Sequence, residues 1–439
     1  MNRANIKEDM KKYKEIESLL KKLFPLNRGL VSKQNHETLK IIKKKIPIKI
    51  LSINSGKKVF DWTVPNEWEI KDGFISDLDG NKIIDFKINN LHVATNSSKV
   101  DRVLSFKDLS KKLNYSKTLK SSIPYRTMYY KKDWGFCVTK NQYIHLSTHK
   151  KLRVVIKSEF KRGRLNIGEL LIKGKSKKEI LISTYICHPS LANDNLSGVV
   201  MTLLLAKFLN SLKKLNWSYR IVFLPETIGA ISYLHLKKEI IKKKIIFGFV
   251  ITCVGGPDSF SYKETWDKSH FLNDLIKNFF IKKKIKVKKY NFDINGSDER
   301  QYSSLGFRIN IASIFKNKYY NFSEYHTSAD NLNFVKPKNI LKSLSVYKQI
   351  ISIVEKIDLY ENNIKYCEPM LNKYNLYSEI GGSFFPKKKY SISEIILWLI
   401  FLLDGKTTIN QICKKLKIKK NIIENLIKTL LKKKLIKKI

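Results

Sequence analysis

The sequence predicts an α/β protein: a mostly parallel sheet with helices on both faces, a small β domain inserted near its start, and a helix-turn-helix or winged-helix module at its end. Three observations predict it. Short, wholly apolar runs such as Ile180–Ile186 and Tyr219–Leu224 alternate with longer runs at helical spacing. Between residues 46 and 148 that rhythm gives way to short alternating runs broken by Asn54-Ser55-Gly56, Asp72-Gly73 and Asp79-Gly80, the turn chemistry of paired strands. From about Ser391, three short helical stretches follow one another with no room for much else.

Each element can be justified in turn. Residues 5 to 24 place Ile6, Tyr13, Ile16, Leu19, Leu20, Leu23 and Phe24 on one helical face, closed by Pro25. A second helix is expected near His36 to Lys45. In the β-textured region, aromatic patches at Phe60–Pro65 with Glu67-Trp68, at Ile123-Pro124-Tyr125 and at Trp134–Cys137 are suited either to lining a binding wall or to packing a small sheet. Arg153 to Glu159 then reads as a strand, and so does Ile180 to Cys187, stopped by Pro189. Leu196 to Leu212 is expected as a helix, with Asp194 and Asn195 at its start in the position of a cap. The alternation continues with a strand at Tyr219–Leu224, a helix at Ile228–Ile240 and a strand at Ile245–Cys253. A helix at His270–Lys284, a strand at Ile309–Phe315 and a long helix at Lys338–Ile357 complete it. In the tail, Thr407 or Thr408 opens the second helix. The expected domains are an α/β domain at 1–45 and 149–385, the β insertion at 46–148, and the C-terminal module at 386–439.

Composition narrows the class. With 439 residues, 43% of them apolar, the chain has enough to bury a large core. The apolar run Ile395–Leu403 is too short to span a bilayer, so no membrane is expected as a partner. The first residues, MNRANIKEDMKKYKEI, lack the apolar centre of a signal peptide, which makes the cytoplasm the expected location. The five cysteines are dispersed and show no CxxC spacing, which argues against a disulfide framework. A net charge of +47 would ordinarily suggest nucleic acid, but only 10 of the 85 basic residues are arginine, the residue that reads phosphates and bases bidentately. Lysines scattered over every segment are better read as a compositional bias than as a binding footprint, and nucleic acid is not an expected partner. A homo-oligomer remains open.

Chemistry collects where predicted strands end. In LISTYICHPSLANDNLSG, His188 follows a buried strand, and Asp194 lies six residues beyond it. Carboxyl ends of strands in an open α/β sheet are where ligands bind, and an imidazole with a carboxylate is a zinc-type donor set. Glu226 ends a second buried strand, where a carboxylate needs a partner. His326, in EYHTSADN with Asp330 nearby, follows a third. Asp298, Glu299 and Arg300, in the glycine-flanked loop NGSDER, are candidates for gripping a charged substrate end, an amine or a carboxylate.

The ordered motifs CHPSLANDNLSG, LPETIG, GSD and YHTSADN resemble those of the M28 zinc aminopeptidases. More closely, the chain resembles the aminopeptidase-like proteins associated with polysaccharide biosynthesis, which carry an inserted β domain and a terminal winged helix. That resemblance covers nearly the whole chain. It implies a zinc-exopeptidase-like fold, with His188, Asp194 and His326 as metal ligands and Glu226 as general base to a metal-activated water. The activity implied is hydrolysis of amide bonds in a short peptide or an acylated amino sugar. The chain also departs from the peptidase pattern. Ser190 stands where an Asp is usual, Glu226-Thr227 replaces a pair of glutamates, and Thr252 replaces a further ligand Asp. A single zinc ion is therefore expected rather than two. Two rivals are a non-catalytic scaffold that retains the metal site and a DNA-binding regulator acting through the C-terminal module. Against the second, the helix from Asn421 carries lysines but no arginine.

Overall fold

The computed structural model describes residues 3–377 and 390–439. Its central sheet has eight strands: β1 (Lys49–Asn54), β2 (Arg164–Ile172), β3 (Glu179–Tyr185), β4 (Ser218–Leu224), β5 (Ile245–Val250), β6 (Ser261–Lys263), β7 (Lys288–Tyr290) and β8 (Asn310–Phe315). Their spatial order is β1-β2-β4-β3-β5-β8-β6-β7. The central strands β4, β3, β5 and β8 run parallel, while β1, β2 and β6 pair antiparallel at the flanks.

Strands β3 and β4 are buried at every position, which is why both read as unbroken apolar runs rather than as alternations. Side chains alternate between the two faces. Ile180 and Ile182 pack with the helices Arg3–Leu23, Lys33–Lys43, Gly198–Ser211 and Pro337–Val354 on one side. Leu181, Val222 and Leu224 pack with the helix Ile228–Leu236 on the other. Local chemistry sets the helix ends. Ser32 caps Lys33–Lys43 through the backbone N–H of Asn35. The run expected as one helix from Ile228 to Ile240 instead breaks at Lys237 into Ile228–Leu236 and Lys238–Lys244.

The insertion has its own four-stranded sheet, in the order Lys82–Asp85, Glu67–Ser76, Lys151–Lys161, Val100–Ser105, and its own core around Trp68, Ile75, Phe136 and Val154. Two strands change sides relative to the expected seams at residues 46 and 148. Lys49–Asn54 belongs to the central sheet, and Lys151–Lys161 is an interior strand of the small one. Both assignments depend on partners more than 45 residues away in sequence, which local pattern does not report.

The tail forms three helices, Ile392–Leu402, Ile409–Leu416 and Lys420–Lys432. Thr408 opens the second, in a reciprocal capping box with Gln411. The module begins well before the expected residue 386, because Tyr360–Asn362 pairs with the terminal strand Ile436–Lys438 and Leu371 joins the module's core. Part of the expected boundary region lies outside the described residues. Among the described residues, no helix is long and apolar enough to cross a membrane.

Candidate metal centre

The carboxyl ends of β3, β4, β5 and β8 meet at one rim. Beyond β3 lies His188, beyond β4 Glu226, beyond β5 Thr252, and the long loop after β8 returns with His326. Asp194 arrives differently from the expectation. It does not cap a helix, because residues 192–197 form an irregular turn in which Asp194 (φ −110°, ψ 83°) and Asn195 (φ −139°, ψ 33°) are non-helical, and the helix starts only at Gly198.

That turn is pinned from three sides. Asn195 donates from Nδ2 to Thr184 Oγ1 (2.9 Å) and to the Tyr185 carbonyl (3.1 Å), while its Oδ1 accepts from Cys253 N (3.3 Å). Asn193 Oδ1 accepts from Gly255 N and Gly256 N. Asp330 accepts the backbone N–H groups of Asn193 (2.5 Å) and Asp194 (2.9 Å). Gly198 is required here: a Cβ would lie 2.2 Å from Asn195 Oδ1 and 2.6 Å from the Ile251 carbonyl.

The result is a cluster, with His188 and Asp194 buried and His326 partly exposed, in which one ligand-type atom from each lies within 4.8 Å of the other two. His326 Nε2 is 3.1 Å from Asp194 Oδ2, and Tyr185 Oη donates to Asp194 Oδ1 while sitting 2.6 Å from Thr252 Oγ1. Glu226 Oε2 approaches His188 Nε2 at 3.8 Å, and Ser297 Oγ donates to Glu226 Oε1 at 2.6 Å.

Electrostatics follow from this burial. Burial pushes His188 down to about 4, against the pull of Asp194, so its imidazole is neutral and free to act as a ligand. Burial opposes ionisation of Asp194, but His188, His326 and the Tyr185 hydroxyl together hold its carboxyl below the usual value. Glu226 moves the other way: burial first, then the charges of Asp298 and Asp194, raise it well above an ordinary glutamate. Two imidazoles and one ionised carboxylate are a donor set suited to a divalent ion with ligand distances of about 2.0–2.2 Å. His326 Nε2 meets Asp194 Oδ2 at 3.1 Å without the alignment of an ordinary hydrogen bond, and a cation between the two would satisfy both atoms.

The loop residues separate. Arg300 lines the cavity beside Glu226. Asp298 and Glu299 face inward: Asp298 accepts from Thr227 N (2.8 Å), and Glu299 accepts from Ser313 Oγ (2.7 Å) and Tyr319 Oη (3.2 Å). Of the three positions where the peptidase pattern is broken, Ser190 donates to the Phe24 carbonyl and Thr252 bonds Tyr185, so both have structural work. At the third, Thr227 holds φ 61° and, like Ile228 beside it, lines the cavity.

The insertion completes the site, and sequence reasoning reached this only in part. Tyr125 N donates to the His326 carbonyl (2.7 Å), and Ile123 and Ser328 exchange two further bonds, so the 123–125 segment fixes the loop that carries His326. The aromatic patch at Ile123-Pro124-Tyr125 thus delivers a wall residue, with Thr127, Tyr129 and Tyr130 beside it, whereas Phe136 and Cys137 are core. Tyr185 and Asp330 had a weak signal: a polar group ending a buried strand, and an acid four residues past His326.

Such a fold and site define an aminopeptidase-like α/β protein. The zinc aminopeptidase BSAP from Bacillus subtilis superposes with a TM-score of 0.58 at 15% identity, over 79% of this chain and 95% of that one. A peptidase M28 precursor from Shewanella amazonensis gives 0.52 at 14% identity, over 79% and 97%. The chain belongs to the family described as a domain of unknown function, DUF4910, whose sequence model matches residues 17–357; a winged helix-turn-helix model matches residues 358–438. It is 39% identical, over 91% of both chains, to a protein of Clostridium acetobutylicum provisionally named a polysaccharide biosynthesis protein with aminopeptidase-like domain. A crystal structure from that organism, provisionally titled a peptidase, superposes over 99% of both chains with a TM-score of 0.78 at 35% identity. The family boundary at residue 357 agrees with the start of the C-terminal module seen in the strand pairing.

Proposed function

We propose that the protein is a zinc-dependent hydrolase of amide bonds acting on a short peptide or an acylated amino sugar, with one ion held by His188, Asp194 and His326 and Glu226 as general base. The observation that carries this reading is the convergence of those three ligand-type atoms within 4.8 Å, with Glu226 only 3.8 Å from His188. The zinc aminopeptidase name of a fold neighbour and the aminopeptidase-like name of a 39% identical relative support it.

When bound, zinc supplies Lewis acidity that lowers the pKa of a coordinated water and polarises a carbonyl. The chain's residues supply the rest. Glu226, raised by burial and by neighbouring carboxylates, is poised to take a proton from the attacking water and return it to the leaving nitrogen. Ser297 fixes the Glu226 carboxylate by donating to Oε1, which leaves Oε2 facing His188. Asp330 and Tyr185 hold Asp194 in place from behind. Tyr125 and Tyr325 pack against the His326 ring at centroid distances of 5.1 and 3.9 Å and exclude water from that side.

The test is an assay of zinc-loaded protein against aminoacyl amides, dipeptides and N-acylated amino sugars. Glu226→Gln should retain the metal and lose at least about a hundredfold in turnover. Full turnover in Glu226→Gln, or zinc bound with no turnover on any member of the panel, contradicts the proposal.

A further inference from the structure

The cavity in front of Glu226 has a volume of about 270 Å³, and its charge is distributed unevenly. Among the described residues Glu226 is the one carboxylate in its lining, and Ser297 and the proposed water-activating role already occupy it. Asp194 and Asp298 lie behind the wall, each buried to within 1%. A substrate ammonium group would therefore meet no carboxylate of its own.

Arg300 is the opposite case. It is the one cationic side chain in the lining, and among the described residues it forms no ion pair within 4 Å. Its guanidinium makes only two long contacts, from Nη1 to the Ile294 carbonyl (3.4 Å) and from Nη2 to Thr227 Oγ1 (3.5 Å), and its Nε is buried with no partner. A guanidinium has five donors arranged as a planar fork that matches a carboxylate. Here most of them are unspent, at the wall of the cavity that holds the proposed base.

We infer that Arg300 binds a carboxylate of the substrate, so that this site takes N-acylated substrates bearing an acidic group rather than peptides presenting a free amino terminus. The inference rests on the amide-hydrolase reading for its placement of the scissile bond. The cavity volume suits a single acylated residue, and the tyrosines around it, Tyr125, Tyr129 and Tyr325 among them, offer flat apolar faces to an acyl chain or sugar ring. In the competing account Arg300 serves only to offset the nearby buried carboxyls of Glu226 and Asp298, both of which it pulls downward.

Calorimetric titration of the zinc-loaded full chain with N-acetylalanine, N-acetylalaninamide and alaninamide separates these accounts without requiring turnover. N-acetylalanine should bind at least about tenfold tighter than either amide, as expected for a charge-assisted fork. Arg300→Gln should erase that preference, and Arg300→Lys, which keeps the charge and loses the fork, should retain part of it. Alaninamide binding as tightly as N-acetylalanine, or an unchanged preference in Arg300→Gln or Arg300→Lys, overturns the inference. Loss of urea stability in Arg300→Gln with the preference intact assigns Arg300 to charge compensation and also overturns it. The two readings fail separately. An Arg300-dependent preference in a protein that hydrolyses nothing removes the hydrolase and leaves the anion site, whereas turnover of free-amine substrates that is indifferent to Arg300 does the reverse.

Discussion

At the amino-terminal ends of the central strands, Arg220 is buried between two glutamates. It donates from Nε and Nη2 to Glu179 (2.5 and 3.0 Å) and from Nη1 to Glu169 (2.5 Å), and Tyr233 Oη closes the network on Glu169 (2.6 Å). Neither the guanidinium nor the two carboxylates leave a buried atom without a partner, and none of the four residues has positive φ. At the carboxyl-terminal ends of the same strands the picture inverts. Asp298 Oδ2, Glu299 Oε2 and Arg300 Nε are buried and unpartnered, and Ser190, Thr227, Cys253 and His326 all hold φ between 45° and 61°. Matched charges with relaxed backbone serve the fold. Unmatched charges beside strained backbone mark the end where a ligand can complete them.

The largest expected effect is at the satisfied end. Arg220→Met leaves Glu169 and Glu179 buried without their cation and should lower urea stability by about 3–5 kcal/mol, while bound metal per folded chain stays unchanged. A shift below about 1 kcal/mol would mean that Lys237 and Lys244, at 3.6 and 3.7 Å from the two glutamates, already compensate them.

Next in size is a pH effect away from both ends. His270 caps the helix Phe271–Lys282 by accepting at Nδ1 from Leu272 N, and burial pushes it down to about 4. Its folded pKa lies below the unfolded value of about 6.5, so between those two values the unfolded chain takes up a proton that the folded one refuses. Stability attributable to His270 is therefore intact above pH 6.5 and falls by about 3 kcal/mol as pH drops toward 4. His270→Asn keeps a capping acceptor without titrating and should flatten the slope of urea midpoints measured from pH 7 to pH 4.5; an equally steep slope in that variant would refute the assignment.

His326→Ala should be smaller still for the fold, within about 1 kcal/mol of wild type, because the side chain is 30% exposed and Asp194, its partner at 3.1 Å, keeps its bonds to Tyr185 and Asp330. A loss comparable to that of Arg220→Met would erase the contrast between the two ends. Truncation before residue 358 should affect the metal site least, since the C-terminal module reaches the α/β domain through contacts such as Gln411 to the Ser269 carbonyl (2.8 Å), remote from the cavity. Loss of metal from the truncated protein would contradict that independence.

The contrast also explains what the sequence disclosed. β3 and β4 announced themselves because strands buried on both faces must be apolar throughout, and residues that break such runs at His188 and Glu226 stand out. Asp194 sits in an irregular turn where a helix cap is expected, since a capping acid and an acid in such a turn look alike until the side-chain bonds of Asn193 and Asn195 are known. Long-range pairing hid the rest. Lys49–Asn54 joins a strand more than 100 residues later, Tyr360–Asn362 joins the last strand of the chain, and Tyr125 meets His326 across 201 positions. Nothing in local composition marks those partners.

The central claim is that His188, Asp194 and His326 share one cation. Elemental analysis of purified full-length protein, wild type beside His188→Ala and His326→Ala, tests it most directly. The account predicts one zinc per wild-type chain and a stoichiometry near zero in either variant with the fold intact. Two ions per wild-type chain, or stoichiometric zinc retained in a variant, would contradict it.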